Sequence, residues 1–393
     1  MAIGDHPDAK KLPEATTDPT IQSGPQDFRA FAARGDAPAT LEEFIHSDSP
    51  MLSLHITSFT DATLVALSWP HALMDVMGQK ALLHAWSLVL AGRESEVPKV
   101  LGANEDAVVA AAEAPSGPIE FKLGARRLAT ISMIWFGARF GWDLLTSKSV
   151  ETRTICMPKR FVEEMRQQAM AELTAEHGAE KDVFISEGDA LTAWALRSVA
   201  LSSPQPRPVT ALHALNLRFR LPALINAGGV YIRNMAIAAF TFVPAETATG
   251  GSLGAIALEN RRCLSEQATE PQVLAFLREL CADPALVVNP VVFCGDPNTI
   301  LVPFTNWTKA EFTKVVDFGP AVVSGTGTDE DEDENRSTRP GSLTFHHAQS
   351  LREHPASRNV FVIMGKDQGE NYWVTATLHP PTWDVIEKSL ANS

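Results

Sequence analysis

Apolar and polar residues alternate over Leu52-Ser53-Leu54-His55-Ile56-Thr57-Ser58-Phe59, the period of a half-buried strand. Thr60-Asp61 supplies a turn, and Leu64 to Leu67 is the returning strand of a hairpin that ends at Pro70. Val76 to Leu90 then reads as a helix, with Gly92 as its terminator. An Ala-rich stretch, Val100 to Ile119, closes on Ala-Pro-Ser-Gly-Pro and predicts a crossover segment. The longest apolar stretch, Leu128 to Leu145, is interrupted by Arg139 and Asp143 and is too short and too charged to span a bilayer. Its Trp135, Phe136, Phe140 and Trp142 suit an interfacial helix, but a buried amphipathic helix is the simpler reading.

Farther on, Thr152 to Met157 predicts a short strand, and Pro158 opens a helix to about His177 from the first-turn position. Ser186-Glu187-Gly188-Asp189 is a helix start ahead of Ala190 to Leu196. Strands are expected at Val209 to Leu217, Met235 to Val243, Val287 to Phe293, Leu301-Val302, Phe361 to Met364 and Trp373 to Leu378. Gly250-Gly251-Ser252 opens a helix to about Gln267, and Pro381 to Leu390 forms the last helix. Residues 1–36, rich in Pro, Thr, Asp and Gly, read as irregular. Mixed strands and helices over 393 residues predict either two domains or one large α/β body.

Composition narrows the function classes. A hydrophobic content of 45% is that of a packed globular protein. The formal charge of −14 argues against nucleic acid as a partner, which demands a basic face. Cys156, Cys263, Cys281 and Cys294 lie far apart with no metal-ligand spacing, so neither a metal site nor a disulfide framework is expected. Few cysteines, and a polar stretch from Met1 to Pro13, point to a cytoplasmic protein without a membrane span. The run Thr328 to Glu334 is expected to be a solvated loop.

The candidate chemistry lies in His71-Ala72-Leu73-Met74-Asp75, between the hairpin and the helix. Histidine titrates near neutrality, so an imidazole emerging from a strand end can serve as a general base. On spacing alone, a core histidine with a helix-capping aspartate is the simpler reading. Context alters this. The run Ser68-Trp69-Pro70-His71-Ala72-Leu73-Met74-Asp75-Val76-Met77-Gly78, with Trp86 downstream, resembles the BAHD acyltransferase family, especially its fungal members. Ile185 to Trp194 resembles the family's central helix start, and Leu215-Asn216-Leu217-Arg218-Phe219-Arg220-Leu221-Pro222 its R-x-R strand. Val230-Tyr231-Ile232-Arg233-Asn234 stands where members carry a Gly-Asn ending. Thr305-Asn306-Trp307, followed by Val316-Asp317-Phe318-Gly319, is similar to the second signature, an Asp-Phe-Gly-Trp-Gly block. The likeness covers roughly residues 50–393.

The resemblance implies an α/β fold of two chloramphenicol-acetyltransferase-like domains, each a mixed sheet flanked by helices, with a channel between them. The expected division is an amino-terminal half, residues 1–105, a crossover segment, 106–150, and a carboxy-terminal half, 151–393. It implies transfer of an acyl group, acetyl foremost, from a coenzyme A thioester to a hydroxyl or amine of a small secondary-metabolite acceptor. His71 would be the base, and Asp75 a structural support paired with Arg218, or failing that Arg220. Thr305 and Trp307 would donate to the oxyanion, while Asp317, Phe318 and Gly319 would tie the halves together. Acyl-coenzyme A is a co-substrate and no cofactor is permanently bound. No Gly-x-Ser-x-Gly elbow or evident nucleophilic Cys supports a covalent route, so direct transfer in a ternary complex by a monomer is expected.

Three departures accompany the likeness. Pro320-Ala321 replaces Trp-Gly, Arg233 replaces a glycine, and His71 stands closer to the start than in other members, so the chain reads as amino-terminally shortened. That last departure keeps a second function open: a metabolite- or thioester-binding relative without turnover. A condensation-type domain of a peptide-assembly system shares the His-x-x-x-Asp logic, but Pro70 and the Asp317-Phe318-Gly319 block argue against it. Coenzyme A phosphate contacts are not assigned. Gly250-Gly251-Ser252, Arg261-Arg262, Lys309 and Lys314 are the candidates weighed, each more simply read as an ordinary cap or surface charge.

Overall fold

Eleven strands are present in the computed structural model, which describes residues 1–114, 117, 119–147, 149–178, 183–282, 294–323, 339–352 and 356–391. They are β1 (Thr20–Gln22), β2 (Ser53–Ser58), β3 (Thr63–Ser68), β4 (Val100–Leu101), β5 (Glu151–Met157), β6 (Val209–Asn216), β7 (Val230–Tyr231), β8 (Ala236–Val243), β9 (Ile300–Asn306), β10 (Val360–Lys366) and β11 (Tyr372–Leu378). The principal helices are α1 (Val76–Leu90), α2 (Thr130–Thr146), α3 (Lys159–His177), α4 (Glu187–Ser202), α5 (Leu253–Gln267), α6 (Glu270–Ala282) and α7 (Pro380–Ala391).

Seven strands form one large sheet in the order β1-β5-β11-β10-β9-β6-β8. β9 runs parallel to both neighbours and the other pairs are antiparallel, so the sheet is mixed. The predicted hairpin is β2–β3, with Ser53 opposite Ser68, and β4 pairs in parallel with β7. The α/β class expected from the chain holds: a large mixed sheet flanked by helices.

Strand periodicity places the site, because neighbouring residues on a strand face opposite ways. Along β9, Val302 and Phe304 enter the main core; along β10, Phe361 and Ile363; along β11, Val374, Ala376 and Leu378. The intervening Thr305, Val360, Val362, Thr375 and Thr377 line a cavity on the other face. The core face is covered by Val162 and Leu173 of α3, Leu191 and Trp194 of α4, Ile256 of α5 and Trp383 of α7. α4 is buried almost all round from Asp189 to Leu196, as a helix without a polar face must be. A capping box starts it: Ser186 Oγ accepts from Asp189 N–H, and the Asp189 carboxylate accepts from Ser186 N–H.

Three expectations change. Thr20–Gln22, inside the stretch read as irregular, is a strand that pairs with β5. Three residues carry no readable period, and the open edge of β5 supplies the pairing. Pro158 caps α3 from just outside instead of occupying its first turn. α2 is not the buried helix expected: Phe136 is its one buried residue among those described, while Ile131 is 83% exposed, Trp135 58% and Trp142 59%. Its inward side carries Phe136, stacked with Phe140, and an ion pair. Asp143 turns inward to Arg207 (2.9 Å), which is itself almost fully buried, and the apolar stripe on the other side is left outward. The expected strand Val287 to Phe293, the acidic run Thr328 to Glu334, and Pro115, Ser116 and Pro118 of the crossover lie outside the described residues.

Candidate active site

The chain leaves β3 through Trp69-Pro70 and turns at once. Leu73 N–H donates to the Pro70 carbonyl (2.8 Å), and the Trp69 indole N–H donates to the Met74 carbonyl (3.1 Å). Met74 is buried under this turn. His71 is left exposed at the turn's crest, on the wall of a cavity of about 2780 Å³. Its backbone carbonyl accepts from Asn234 Nδ2 (2.8 Å), a clamp from a segment 163 residues away. The same cavity is lined by the end of β3, by one face of α1, and by Thr305, Trp307 and the threonines of β11.

Asp75 is the N-cap of α1. Its Oδ1 accepts from the backbone N–H groups of Met77 and Gly78 (3.0 Å each), and its Oδ2 from Arg218 Nη1 and Met235 N–H (2.9 Å each). Four donors saturate the carboxylate, and His71's imidazole is not among them. The helix dipole adds to the preference for negative charge here. Of the two arginines considered, Arg218 is the partner. It is almost fully buried, and its remaining donors bind the carbonyls of Tyr231 and Arg233. The pair therefore stitches the start of α1 to β7 and to the loop after it. A buried ion pair adds little net stability, but removing one member strands a charge.

Thr305, the last cavity-facing residue of β9, meets Trp307 just beyond the strand. The Trp307 indole N–H donates to Thr305 Oγ1 (3.1 Å). The two side chains expected as parallel donors are thus arranged in series: the indole donates to the hydroxyl, and the hydroxyl proton remains for a ligand. Trp307's backbone N–H is held by the Ile363 carbonyl (2.8 Å), which keeps the ring beside the sheet.

The Asp317-Phe318-Gly319 block packs on α1, the helix that Asp75 caps. Asp317 N–H donates to Ser87 Oγ (3.0 Å), and Gly319 N–H donates to Asp317 Oδ1 (2.8 Å). Phe318 meets Trp86 edge-on at 5.1 Å. Around them Leu83 of α1, Phe312 and Val316 form a small core of their own. Pro320 sits in a short helical turn, compatible with its fixed φ. Arg233 is not among the residues with positive φ, so its place in a glycine position costs no backbone strain.

Gly78 is a requirement that sequence reading passed over. A Cβ there would lie 2.0 Å from the Ile232 carbonyl oxygen, so only glycine lets the first turn of α1 approach β7 this closely. The glycine was visible in the motif, but the backbone it must clear lies 154 positions away. His346 and His347 also went unread and also line the cavity. Burial pushes both well down, to about 4, so both imidazoles are neutral near pH 7. Among the phosphate candidates, Ser252 caps α5, Lys314 pairs with Glu311, Lys309 lies over the Phe219 ring, and Arg261 lies over the Phe184 ring and near Asp189. Each already has a structural partner within the chain. A buried carboxylate at Asp189 held by Asn260 (2.8 Å) continues the same network into the sheet.

The comparisons with known proteins agree with this geometry. No family model matches the chain. The acetyltransferase pyiB of Pyricularia grisea is 34% identical over 389 residues, covering 99% of this chain and 76% of its own length. The O-acetyltransferase PaAT-2 of Phomopsis amygdali is 32% identical over 402 residues, covering 99% and 80%. Among solved structures, F. graminearum TRI101 complexed with coenzyme A and deoxynivalenol is similar in fold, with a TM-score of 0.59 at 14% identity over 86% of this chain and 68% of that one. Vinorine synthase is similar with a TM-score of 0.50 at 15% identity, over 85% and 64%. Identity above 30% along nearly the whole chain, on this fold, establishes the relationship: the chain belongs to the fungal branch of the BAHD-type acyltransferases.

Proposed function

We propose that this acyltransferase moves an acyl group, acetyl foremost, from a coenzyme A thioester to a hydroxyl or amine of a small secondary-metabolite acceptor, with His71 as general base. The observation that carries the reading is the placement of His71. Its ring is exposed on the cavity wall, and its backbone is fixed by Asn234 and the turn, with Asp75 engaged elsewhere. His71 takes the acceptor's proton as the acceptor oxygen or nitrogen attacks the thioester carbonyl. The carbonyl oxygen becomes an oxyanion, which accepts from the Thr305 hydroxyl while that hydroxyl is polarised by the Trp307 N–H. When the carbonyl re-forms, the C–S bond breaks, and the departing thiolate recovers the proton from the His71 imidazolium.

Relatives and fold support the donor. The relatives pyiB and PaAT-2 are named an acetyltransferase and an O-acetyltransferase, and TRI101 has been solved with coenzyme A bound. The acceptor must suit a large cavity with a mixed wall: Trp69, Leu67 and Val362 beside Thr375, Thr377 and His347. An apolar skeleton bearing hydroxyl groups meets that description. Asp75, Arg218 and the Asp317-Phe318-Gly319 block act as supports in this scheme and contact no substrate. The test is His71→Ala assayed with acetyl-coenzyme A and a panel of alcohols and amines. Turnover falls about 10²–10⁴-fold with the fold intact by circular dichroism, the usual loss on removing a general base. Acyl transfer by the variant at the parental rate would remove His71 from the reaction.

A further inference from the structure

The cavity-facing side of the large sheet is ordered in transverse rows. Val362 of β10 pairs with Thr305 of β9 on one side and with Thr375 of β11 on the other, and Thr375 pairs in turn with Thr154 of β5. Residues paired across strands share a face, so one row reads Thr305, Val362, Thr375, Thr154. The neighbouring row, two residues along, reads Val360, Thr377, Thr152. All of these except Thr154 line the large cavity. Their hydroxyls are used differently. Thr377 and Thr152 bond each other at 2.8 Å, and Thr305 accepts from the Trp307 indole N–H. Thr375 is only 7% exposed, and among the described residues its hydroxyl has no hydrogen-bond partner. The Thr154 hydroxyl beside it is fully buried and has none either. Folded proteins rarely leave a buried hydroxyl unpaired, because it has given up its bonds to water. Valine occupies the same face at 360 and 362, so the strand does not demand a hydroxyl at 375.

A strand spacing of about 4.8 Å puts Thr375 about 10 Å from Thr305 across the sheet, with Val362 between them. A ligand on this floor meets a hydroxyl, then hydrocarbon, then a hydroxyl. In the acyl-transfer reading, on which this inference rests, Thr305 marks the reacting carbonyl. We propose that Thr375 is a specificity-determining residue for the acceptor. Its hydroxyl bonds a second oxygen, hydroxyl or carbonyl, carried on a rigid apolar skeleton about 10 Å from the group that is acylated. Val362 supplies the apolar contact between the two ends. The acceptor class is thereby narrowed from alcohols and amines in general to apolar skeletons that also carry an oxygen at the far end. An analogue lacking that oxygen seals the Thr375 hydroxyl against hydrocarbon, and a site rejects a ligand that leaves its polar group unpaired.

The test sets androstanediols, rigid apolar skeletons with an oxygen at each end, against the matched androstanols that lack the remote oxygen. It uses the full chain with Thr375→Val and Thr375→Ser. Binding is read by isothermal titration calorimetry without acyl donor. The parent is expected to hold a diol about tenfold more tightly than its mono-alcohol, the worth of one neutral hydrogen bond. Thr375→Val should hold the two alike, with the diol weakened about tenfold, and Thr375→Ser should keep the preference. In steady-state acetylation the same loss should appear in KM for the diol. The kcat and the KM for acetyl-coenzyme A should stay at parental values, and the melting temperature should equal the parent's or exceed it. A diol preference that survives in Thr375→Val overturns the proposal, as does a parent that prefers no diol. A rise confined to KM for acetyl-coenzyme A also overturns it, because the hydroxyl would then face the donor's arm. Calorimetry needs no turnover, so the two readings fail separately. His71-dependent acetylation without diol preference removes Thr375 alone, whereas diol preference without any acetylation supports the Thr375 contact and removes the acyl-transfer reading.

Discussion

At the scale of single residues the decisive contact is between Thr305 and Trp307. A hydroxyl has one proton and two lone pairs. The indole N–H occupies a lone pair at 3.1 Å, which leaves the proton to be donated and makes it more acidic. Removing the hydroxyl should therefore cost more than removing the indole N–H. Thr305→Val, similar in shape, is expected to lower kcat by about 10²-fold, the usual loss for one oxyanion donor, with KM for acetyl-coenzyme A nearly unchanged. Thr305→Ser should keep most activity, and Trp307→Phe should lose less than Thr305→Val. Steady-state kinetics on the three decides the order. If Trp307→Phe were the worst of them, the indole would be donating directly to substrate and the serial arrangement would be wrong. The residue types here were legible in the chain, through the family likeness. Their order in series was not, because two residues apart on a strand end fixes neither rotamer nor which group donates to which.

At the scale of elements, the site depends on how closely α1 approaches β7. Asp75 caps the helix and binds Arg218, which in turn holds the carbonyl of Tyr231, so the cap and the close approach at Gly78 are one device. Gly78→Ala places a methyl 2.0 Å from the Ile232 oxygen. Relief needs a shift of α1 or of the loop from β7 to Met235, and either shift moves His71 through Asn234. The expected outcome is a loss of roughly 1–3 kcal/mol in stability, as for other overpacked sites, together with reduced kcat. Urea denaturation and kinetics on the same preparation check both. Parental stability and rate would mean that the helix start is loosely seated. What was readable at this scale follows from the period: β2 alternates over six residues and the β2–β3 hairpin was found nearly to the residue, although Leu54 and Ile56 lie on its exposed face. β1 was missed because an edge pairing created it. α2 was read as buried because periodicity identifies a stripe without saying what covers it, and the inward Asp143–Arg207 pair is a contact across 64 positions.

At the scale of the whole molecule, acid stability should depend on histidines that the fold keeps neutral. His213 of β6 is fully buried and burial pushes it down to about 4, as it does His346 and His347 at the cavity. His213 sits at the end of a buried chain of hydrogen bonds. Its Nε2 meets Thr241 Oγ1 at 3.3 Å, Thr241 donates to Asn260 at 2.8 Å, and Asn260 donates to Asp189 at the start of α4. Protonating that ring would charge the join between sheet and helix layer. In the unfolded chain each histidine titrates near its ordinary value of 6.5. Between pH 6.5 and about 4 the unfolded state therefore binds protons that the folded state refuses. Their stabilising share is complete above pH 6.5 and drains away as pH falls through that window, by at most about 1.4 kcal/mol per pH unit for each histidine. His347 isolates the effect. Its ring lies edge-on to Phe28 at 5.6 Å and Phe345 at 5.5 Å, and among the described residues neither ring nitrogen has a hydrogen-bond partner. His347→Phe thus forfeits no hydrogen bond there and removes one titrating group. Urea midpoints measured from pH 7 to pH 5 should fall less steeply for this variant than for the parent, and its stability at pH 7 should be equal or higher. An unchanged slope would mean that the folded protein protonates His347 as readily as the unfolded chain does, and that the aromatic wall around it admits water.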